Sequence, residues 1–279
     1  MKIIIVTEGG YNIGFGHITR CYSIFQGINS VLKEKPRFMI YSEDNLDKFL
    51  SDHQLSPKYY NHDNILSYIS KLSPDVVIID SYKLPREIYE GISEKVKTCL
   101  YIDDFRRISY PKGIVVNGSI FAQKLKYPAK KSIKYFLGTK YIPIRREFWK
   151  IKQRELTRKL QKVLVTLGGT DFNNSTPIVL KYLDEILKGL KIITVVGVGF
   201  RNIEKLYTTK FKNEIEFVSS PSPTQLRELM LSSDICISAG GQTTYELAST
   251  GTPTIGICAS DNQRFNLEGW KKAGFIILA

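Results

Sequence analysis

The sequence predicts an α/β protein built as two Rossmann-like domains facing each other across a cleft. Three observations carry that prediction. Short continuous apolar runs recur between stretches of helical periodicity, which is how parallel strands buried on both faces read. The rhythm pauses once, in a charged stretch between Pro143 and Lys162, and then restarts. Glycines cluster just after several of the apolar runs, where open parallel sheets place their ligands.

In the first half the runs are Ile3 to Val6, Phe38 to Tyr41, Val76 to Ile79, Thr98 to Ile102 and Ile114 to Val116. A helical pattern through Cys21, Ile24, Phe25, Ile28 and Leu32 follows the first run. Amphipathic stretches near Asp44 to Leu50, Asn64 to Leu72 and Pro85 to Val96 have the length of crossover helices, the last with a proline suited to a first turn. The interval from Arg145-Arg146-Glu147-Phe148 through Arg158-Lys159-Leu160 favours helix and puts a boundary near residue 155. Residues 1–150 are therefore expected to form one domain and residues 151–279 the other. In the second half the runs are Val163 to Leu167, Ile192 to Val196, Ile215 to Val218, Ile235 to Ser238, Thr254 to Ile257 and Phe275 to Leu278. Because the chain stops at Ala279 just after a strand-like run, the second domain is expected to be truncated at its C-terminal end.

Composition sets the broad class. With 43% hydrophobic and 24% charged residues, the 279-residue chain has the make-up of an ordinary globular protein long enough for two cores. No apolar run approaches the ~18 residues of a membrane span. Met1-Lys2-Ile3-Ile4-Ile5 leads into a strand without a signal-peptide cleavage pattern, so a cytoplasmic protein without membrane insertion is expected. The four cysteines form no C-x-x-C pair and read as core residues. A net charge of +13 admits nucleic acid, anionic lipid or a phosphorylated small molecule as partner. The cations are scattered, with short clusters at Lys124 to Lys134 and Arg145 to Lys162. No aromatic-basic RNA-binding signature is visible, and no nucleic-acid partner is expected. Oligomeric state is not legible.

Chemistry concentrates in three glycine loops. Gly14-Phe15-Gly16-His17-Ile18-Thr19-Arg20 leads from the first strand into the first helix. Gly168-Gly169-Thr170-Asp171 follows Val163 to Leu167, and Gly240-Gly241-Gln242-Thr243-Thr244 follows Ile235 to Ser238. Glycines followed by hydroxyl residues at a helix start expose backbone N–H groups to an anion, although each loop alone also reads as a tight turn. Neither the Walker pattern nor the dinucleotide G-x-G-x-x-G pattern with its ribose-binding acid fits them. His17 sits at a helix N-terminus, which disfavours imidazolium, so it is expected to stay neutral near pH 7 as a general base requires. The alternative is a histidine that only caps the helix or bonds a phosphate. Glu246 lies one turn into the helix after the third loop, placed either to accept from a ribose diol or to face solvent. Asp80, followed by Tyr82, and Asp103-Asp104 end strands of the first domain. Adjacent Asp103 and Asp104 point apart on an extended backbone, so no metal site is expected.

These residues resemble the PseG family of UDP-2,4-diacetamido-2,4,6-trideoxy-β-L-altropyranose hydrolases, which share the GT-B architecture with the glycosyltransferase MurG. The resemblance runs through G-F-G-H-I-T-R at Gly14 to Arg20, I-I-D-S-Y at Ile78 to Tyr82, I-D-D at Ile102 to Asp104 and V-N-G at Val116 to Gly118. It continues through G-x-x-Y-x-x-x-R-x-E-F from Gly138 to Phe148, G-G-T-D-x-x-N from Gly168 to Asn174, S-A-G-G at Ser238 to Gly241 with Glu246, and D-N-Q at Asp261 to Gln263. It implies metal-independent hydrolysis of a UDP-sugar without a cofactor, with His17 as the base that activates water. It also implies that the second domain holds UDP, with Gly240 and Gly241 at the diphosphate and Glu246 at the ribose. Gly14, Gly16, Arg20, Tyr82, Gly168, Gly169, Thr170, Asp171, Gln242, Thr243 and Asn262 complete the expected substrate-binding set. Gln242 stands where many relatives carry serine. Two other readings remain open: a GT-B glycosyltransferase that passes the sugar to another acceptor, and a nucleotide-sugar-binding module without catalysis.

Overall fold

The computed structural model describes residues 1–279 except 33, 34, 153, 155–158, 172 and 202. The chain divides into two compact units, Met1–Arg146 and Glu147–Ala279. The boundary expected near residue 155 lies outside the described residues.

The first unit runs β1 (Ile3–Glu8), α1 (Gly16–Leu32), β2 (Arg37–Tyr41), α2 (Asp47–Asp52), β3 (Lys58–Tyr59), α3 (Ile65–Leu72), β4 (Val76–Asp80), α4 (Arg86–Lys95), β5 (Thr98–Ile102), β6 (Gly113–Asn117) and β7 (Ile133–Leu137). Its strands form one parallel sheet in the order β3-β2-β1-β4-β5-β6-β7. Every residue of β1 is buried, as its unbroken apolar run requires of a central strand. One core packs Ile4, Val6, Val77 and Ile79 against Ile65 and Ile69 of α3 and Tyr89 and Ile92 of α4. Order reverses between β1 and β4, and their carboxyl ends define the crevice where such sheets bind ligands.

The second unit repeats the plan with β8 (Lys162–Thr166), α5 (Ser175–Ile186), β9 (Lys191–Val196), α6 (Ile203–Thr208), β10 (Glu214–Ser219), α7 (Pro223–Ser232), β11 (Ile235–Ala239), α8 (Thr243–Thr250), β12 (Thr254–Ile257), α9 (Arg264–Lys272) and β13 (Ile276–Leu278). The parallel order is β10-β9-β8-β11-β12-β13, with the reversal between β8 and β11. Helix α7 starts on a capping box: Ser222 Oγ accepts from the Gln225 N–H and Gln225 Oε1 from the Ser222 N–H.

The structure departs from the sequence reading in three places. Strands β3 and β7 were not anticipated. β3 has only two residues, and β7 alternates, with Ile133 buried and Lys134 and Phe136 exposed, because it is an edge strand. The helix-favouring interval after Pro143 holds a short 3-10 turn, Arg146–Phe148, instead of an α-helix in its described part. Local tertiary bonds fix that turn. Phe148 is buried, its carbonyl accepts from Ser249 Oγ at 2.6 Å, and the Glu147 carbonyl accepts from Arg227 at 3.2 Å. Three cysteines are buried as expected, but Cys258 is exposed. No helix among the described residues is long and apolar enough to cross a membrane.

Candidate functional site

His17 is held at the start of α1 by a tight return of the chain. Gly10 and Gly14 exchange backbone hydrogen bonds, and Gly14 has φ +88°, a conformation that glycine adopts without strain. The helix then turns His17 and Arg20, three residues apart and so on one face, towards Asp80 at the carboxyl end of β4. His17 Nδ1 lies 2.7 Å from Asp80 Oδ1. Arg20 donates from Nε to Asp80 Oδ2 and from a terminal nitrogen to Oδ1, each at 2.8 Å, and its guanidinium also reaches both oxygens of Asp104, at 2.6 and 3.0 Å. Tyr82 donates its hydroxyl to Asp104 at 2.5 Å, and its ring meets the His17 ring edge-on at 4.5 Å. One guanidinium thus ties two carboxylates, each of which orients a ring of the site.

The electrostatics follow from burial and pairing. For Asp80, completely buried, desolvation is the largest influence and acts to raise the pKa. Arg20 and His17 outweigh it, and the carboxyl is held well below the usual carboxylate range. Asp104 is lowered in the same way, burial opposing and Arg20 prevailing. For His17 burial again acts most strongly, towards the neutral form, but the charge and hydrogen bond of Asp80 overcome it and the pKa rises above 6.5. The direction is opposite to the one expected from the helix N-terminus, since a carboxylate in hydrogen-bond contact outweighs the partial charge of a helix end. With Nδ1 bound to Asp80, the neutral ring carries its proton there and presents Nε2 as the basic nitrogen.

Arg20, expected to bind substrate, is buried and paired with Asp80 and Asp104, the carboxylates that also hold His17 and Tyr82. Asp80 and Asp104 were noted only as strand ends, yet they organise the site. Glu8 was not anticipated at all. It is completely buried at the end of β1 and accepts from Ser81 Oγ and from the backbone N–H groups of Tyr82 and Lys83 at 2.8 and 3.0 Å, fixing the loop that carries Tyr82. As expected, the neighbouring carboxylates diverge. Asp103 accepts from Tyr127 Oη at 2.5 Å while Asp104 faces Arg20.

In the second unit both expected glycine loops follow the strands that flank the reversal, β8 and β11, which pair through Thr166 and Ser238. Two of the groups expected to meet substrate are engaged within the chain. The Asp171 carboxylate accepts from the Ser175 and Thr176 N–H groups at 2.9 and 2.8 Å and so occupies the N-terminus of α5, where the sequence placed a phosphate. The Gly240 N–H donates to Gln263 Oε1 at 3.0 Å, and a Cβ there would lie 2.5 Å from Leu267 Cγ, so a close approach of α9 already requires glycine at this position. Gly168, Gly169 and Gly241 have open space where a Cβ would stand. Thr170, Gln242 and Thr243 are half-buried, and Asn262 is exposed, accepting from Ser260 Oγ. The start of α8 is fixed by Thr244 Oγ1, which donates to the Gly241 carbonyl at 2.8 Å and accepts from Asn266 and Trp270. Glu246 is 2% exposed, which removes the solvent-facing alternative. The described residues contain no group of three or more His, Cys, Asp or Glu side chains arranged to hold a metal ion.

No protein-family model matches the chain. It is 28% identical over 282 residues to an uncharacterized protein of Methanocaldococcus jannaschii, covering 95% of this chain and 57% of the other. It is 27% identical over 277 residues to a Helicobacter pylori protein named pseudaminic acid cytidylyltransferase and UDP-2,4-diacetamido-2,4,6-trideoxy-beta-L-altropyranose hydrolase, covering 98% and 47%. It is 22% identical over 272 residues to the spore coat polysaccharide biosynthesis protein SpsG of Bacillus subtilis, covering 94% and 79%. The chain therefore spans about half the length of the first two relatives. Among solved structures, Acinetobacter baumannii MurG superposes with a TM-score of 0.68 at 13% identity, over 100% of this chain and 86% of that one. The glycosyltransferase VinC does so with a TM-score of 0.64 at 11% identity, over 100% and 86%. The fold is that of the GT-B glycosyltransferases.

Proposed function

We propose that this chain is an enzyme that hydrolyses a UDP-sugar, a diacetamido-trideoxyhexose of the pseudaminic acid type, at its anomeric carbon. The observation that carries the reading is the His17–Asp80 pair, a base with one nitrogen fixed by a buried carboxylate and the other left for a reacting group. The named activity of the Helicobacter pylori relative, similar over 98% of this chain, supports the choice of reaction. His17 Nε2 takes a proton from water as the water oxygen bonds to C1. The bond between C1 and the β-phosphate oxygen breaks, and its electron pair leaves with UDP. The backbone N–H groups of Gly241 and Thr243 at the start of α8 meet the diphosphate as its charge grows. In this reading the first unit carries the catalytic loop and the second holds UDP.

A glycosyltransferase is the second reading, favoured by the GT-B fold that the whole chain shares with MurG and VinC. The same base would then deprotonate an acceptor hydroxyl. Release of UDP from a panel of UDP-linked diacetamido-trideoxyhexoses and UDP-GlcNAc, without acceptor and with chelator present, separates the two. Hydrolysis of one sugar, its product followed by NMR, is expected; UDP binding without turnover would move the assignment to a transferase. For the nucleotide end, Glu246→Ala is expected to weaken UDP affinity by about 1 to 3 kcal/mol, as for a buried hydrogen bond to a charged group. Calorimetry showing unchanged affinity would remove Glu246 from the site.

A further inference from the structure

The charge of this chain is unevenly placed. Between Asp104 and Glu147 lie 11 of its 40 lysines and arginines and none of its 27 acidic residues, so this stretch supplies +11 of the net +13. The topology gathers most of it on one flank of the first unit, because β6 and β7 are the last two strands of the sheet and β7 is its edge. Lys131, Lys134 and Lys140 are exposed before, on and after β7, and Lys124 is exposed on the turn beside its carboxyl end, where Gln123 approaches Gly138. Exposed Phe136 shares the Lys134 face of β7, and its ring meets that of exposed Tyr141 at 5.2 Å, with the Lys140 ammonium 5.9 Å from the Tyr141 ring.

Protection of an edge strand against pairing explains one such lysine but not the whole pattern. The edge strand β10 of the other sheet carries Glu214 and Glu216, both paired with Lys191. On the β7 flank, among the described residues, none of Lys124, Lys131, Lys134 and Lys140 makes an ion pair. Exposed Arg106 and half-buried Arg107, before β6, are tied to partners within the chain. Arg106 donates to the Lys126 carbonyl, and Arg107 to the Ser81 carbonyl and Tyr89 Oη. What β7 and its two ends present is lysine and aromatic rings, not the guanidinium forks that read nucleic-acid phosphates and base edges.

We infer that the β7 flank of the first unit is a docking face for an anionic membrane surface. Lysine ammonium groups attract the anionic headgroups, and Phe136 and Tyr141 enter the interfacial layer, where aromatic rings partition. The attachment is peripheral and reversible, and it does not depend on which reaction the site performs.

The test is flotation of the whole chain with vesicles of phosphatidylcholine alone or with about one-third phosphatidylglycerol. Binding to the anionic vesicles only is expected, weakening as salt rises. Lys131→Glu/Lys134→Glu is expected to lower the partition at least tenfold, since each lysine near such a surface contributes about fivefold. Lys271→Glu/Lys272→Glu, an equal charge change on exposed residues at the end of α9, is expected to leave it within twofold. Phe136→Ser is expected to weaken binding without changing its salt dependence. Unchanged melting temperatures confirm folding of each variant. Equal losses in both lysine pairs would show non-specific attraction and overturn the proposal, as would absence of binding. Tighter binding to a duplex or single-stranded oligonucleotide at the same salt, abolished by the first pair alone, would overturn the membrane and assign the face to nucleic acid.

Discussion

His17→Asn is expected to lower turnover by about 10² to 10⁴-fold, the usual contribution of a general base, while UDP affinity stays within twofold. Asparagine keeps a donor for Asp80 but offers no basic nitrogen. Equal loss of turnover and affinity would remove the base assignment. The pH profile gives a second, independent reading. Since neutral imidazole is the active form and the pKa lies above 6.5, kcat/KM is expected to rise with pH through that raised value and then level off. Asp80→Asn removes the charge that raises it, so the limb moves to lower pH. The same pairing has an opposite effect on stability. A histidine whose folded pKa exceeds its unfolded value stabilises the fold fully below about 6.5 and loses that contribution as pH rises through the folded pKa. Activity and this part of the stability therefore favour opposite sides of one titration.

How far the sequence predicts this site depends on the distance over which each contact acts. Central strands were legible because burial on both faces forces unbroken apolar runs such as Ile3 to Val6. The edge strand β7 was not, because I-K-Y-F-L reads as a weak alternation. The address of His17 followed from a strand, a glycine turn and a helix start within 20 residues. Its partner did not, since Asp80 is 63 residues away and arrives only through the β1–β4 register that sets Thr7 beside Asp80. The same reason hid the fate of Arg20, whose two carboxylates are 60 and 84 residues distant. Asp171 is different. Its bonds to Ser175 and Thr176 are local and could have been read as a helix cap, but the preceding glycines suggested an anion from solution where the chain supplies its own.

The largest effect on stability is expected at Arg20. Arg20→Met removes the only cation bonded to both Asp80 and Asp104 among the described residues and leaves one fully buried and one partly buried carboxylate without it. Breaking one side of such a buried network costs about 3 to 5 kcal/mol, far more than an exposed ion pair contributes. Most of that loss is the penalty on the stranded charges, not on the missing side chain. The triple variant Arg20→Met/Asp80→Asn/Asp104→Asn should therefore recover most of it. Both tryptophans, Trp149 and Trp270, lie in the second unit, so hydrogen exchange at the β1 and β4 amides is the measurement that reports this core. If the triple variant proves as unstable as Arg20→Met, the loss comes from packing and the electrostatic account is wrong. Acid supplies the complementary check. Asp80 has a folded pKa below its unfolded value, so its stabilisation is present above about pH 4 and is lost as pH falls through the folded value. In Arg20→Met that depression is gone, and the carboxyls protonate at higher pH without unfolding the chain. The gap between the two proteins should then narrow steadily below about pH 4, as it must if an unpaired charge, and not a cavity, is what destabilises the variant.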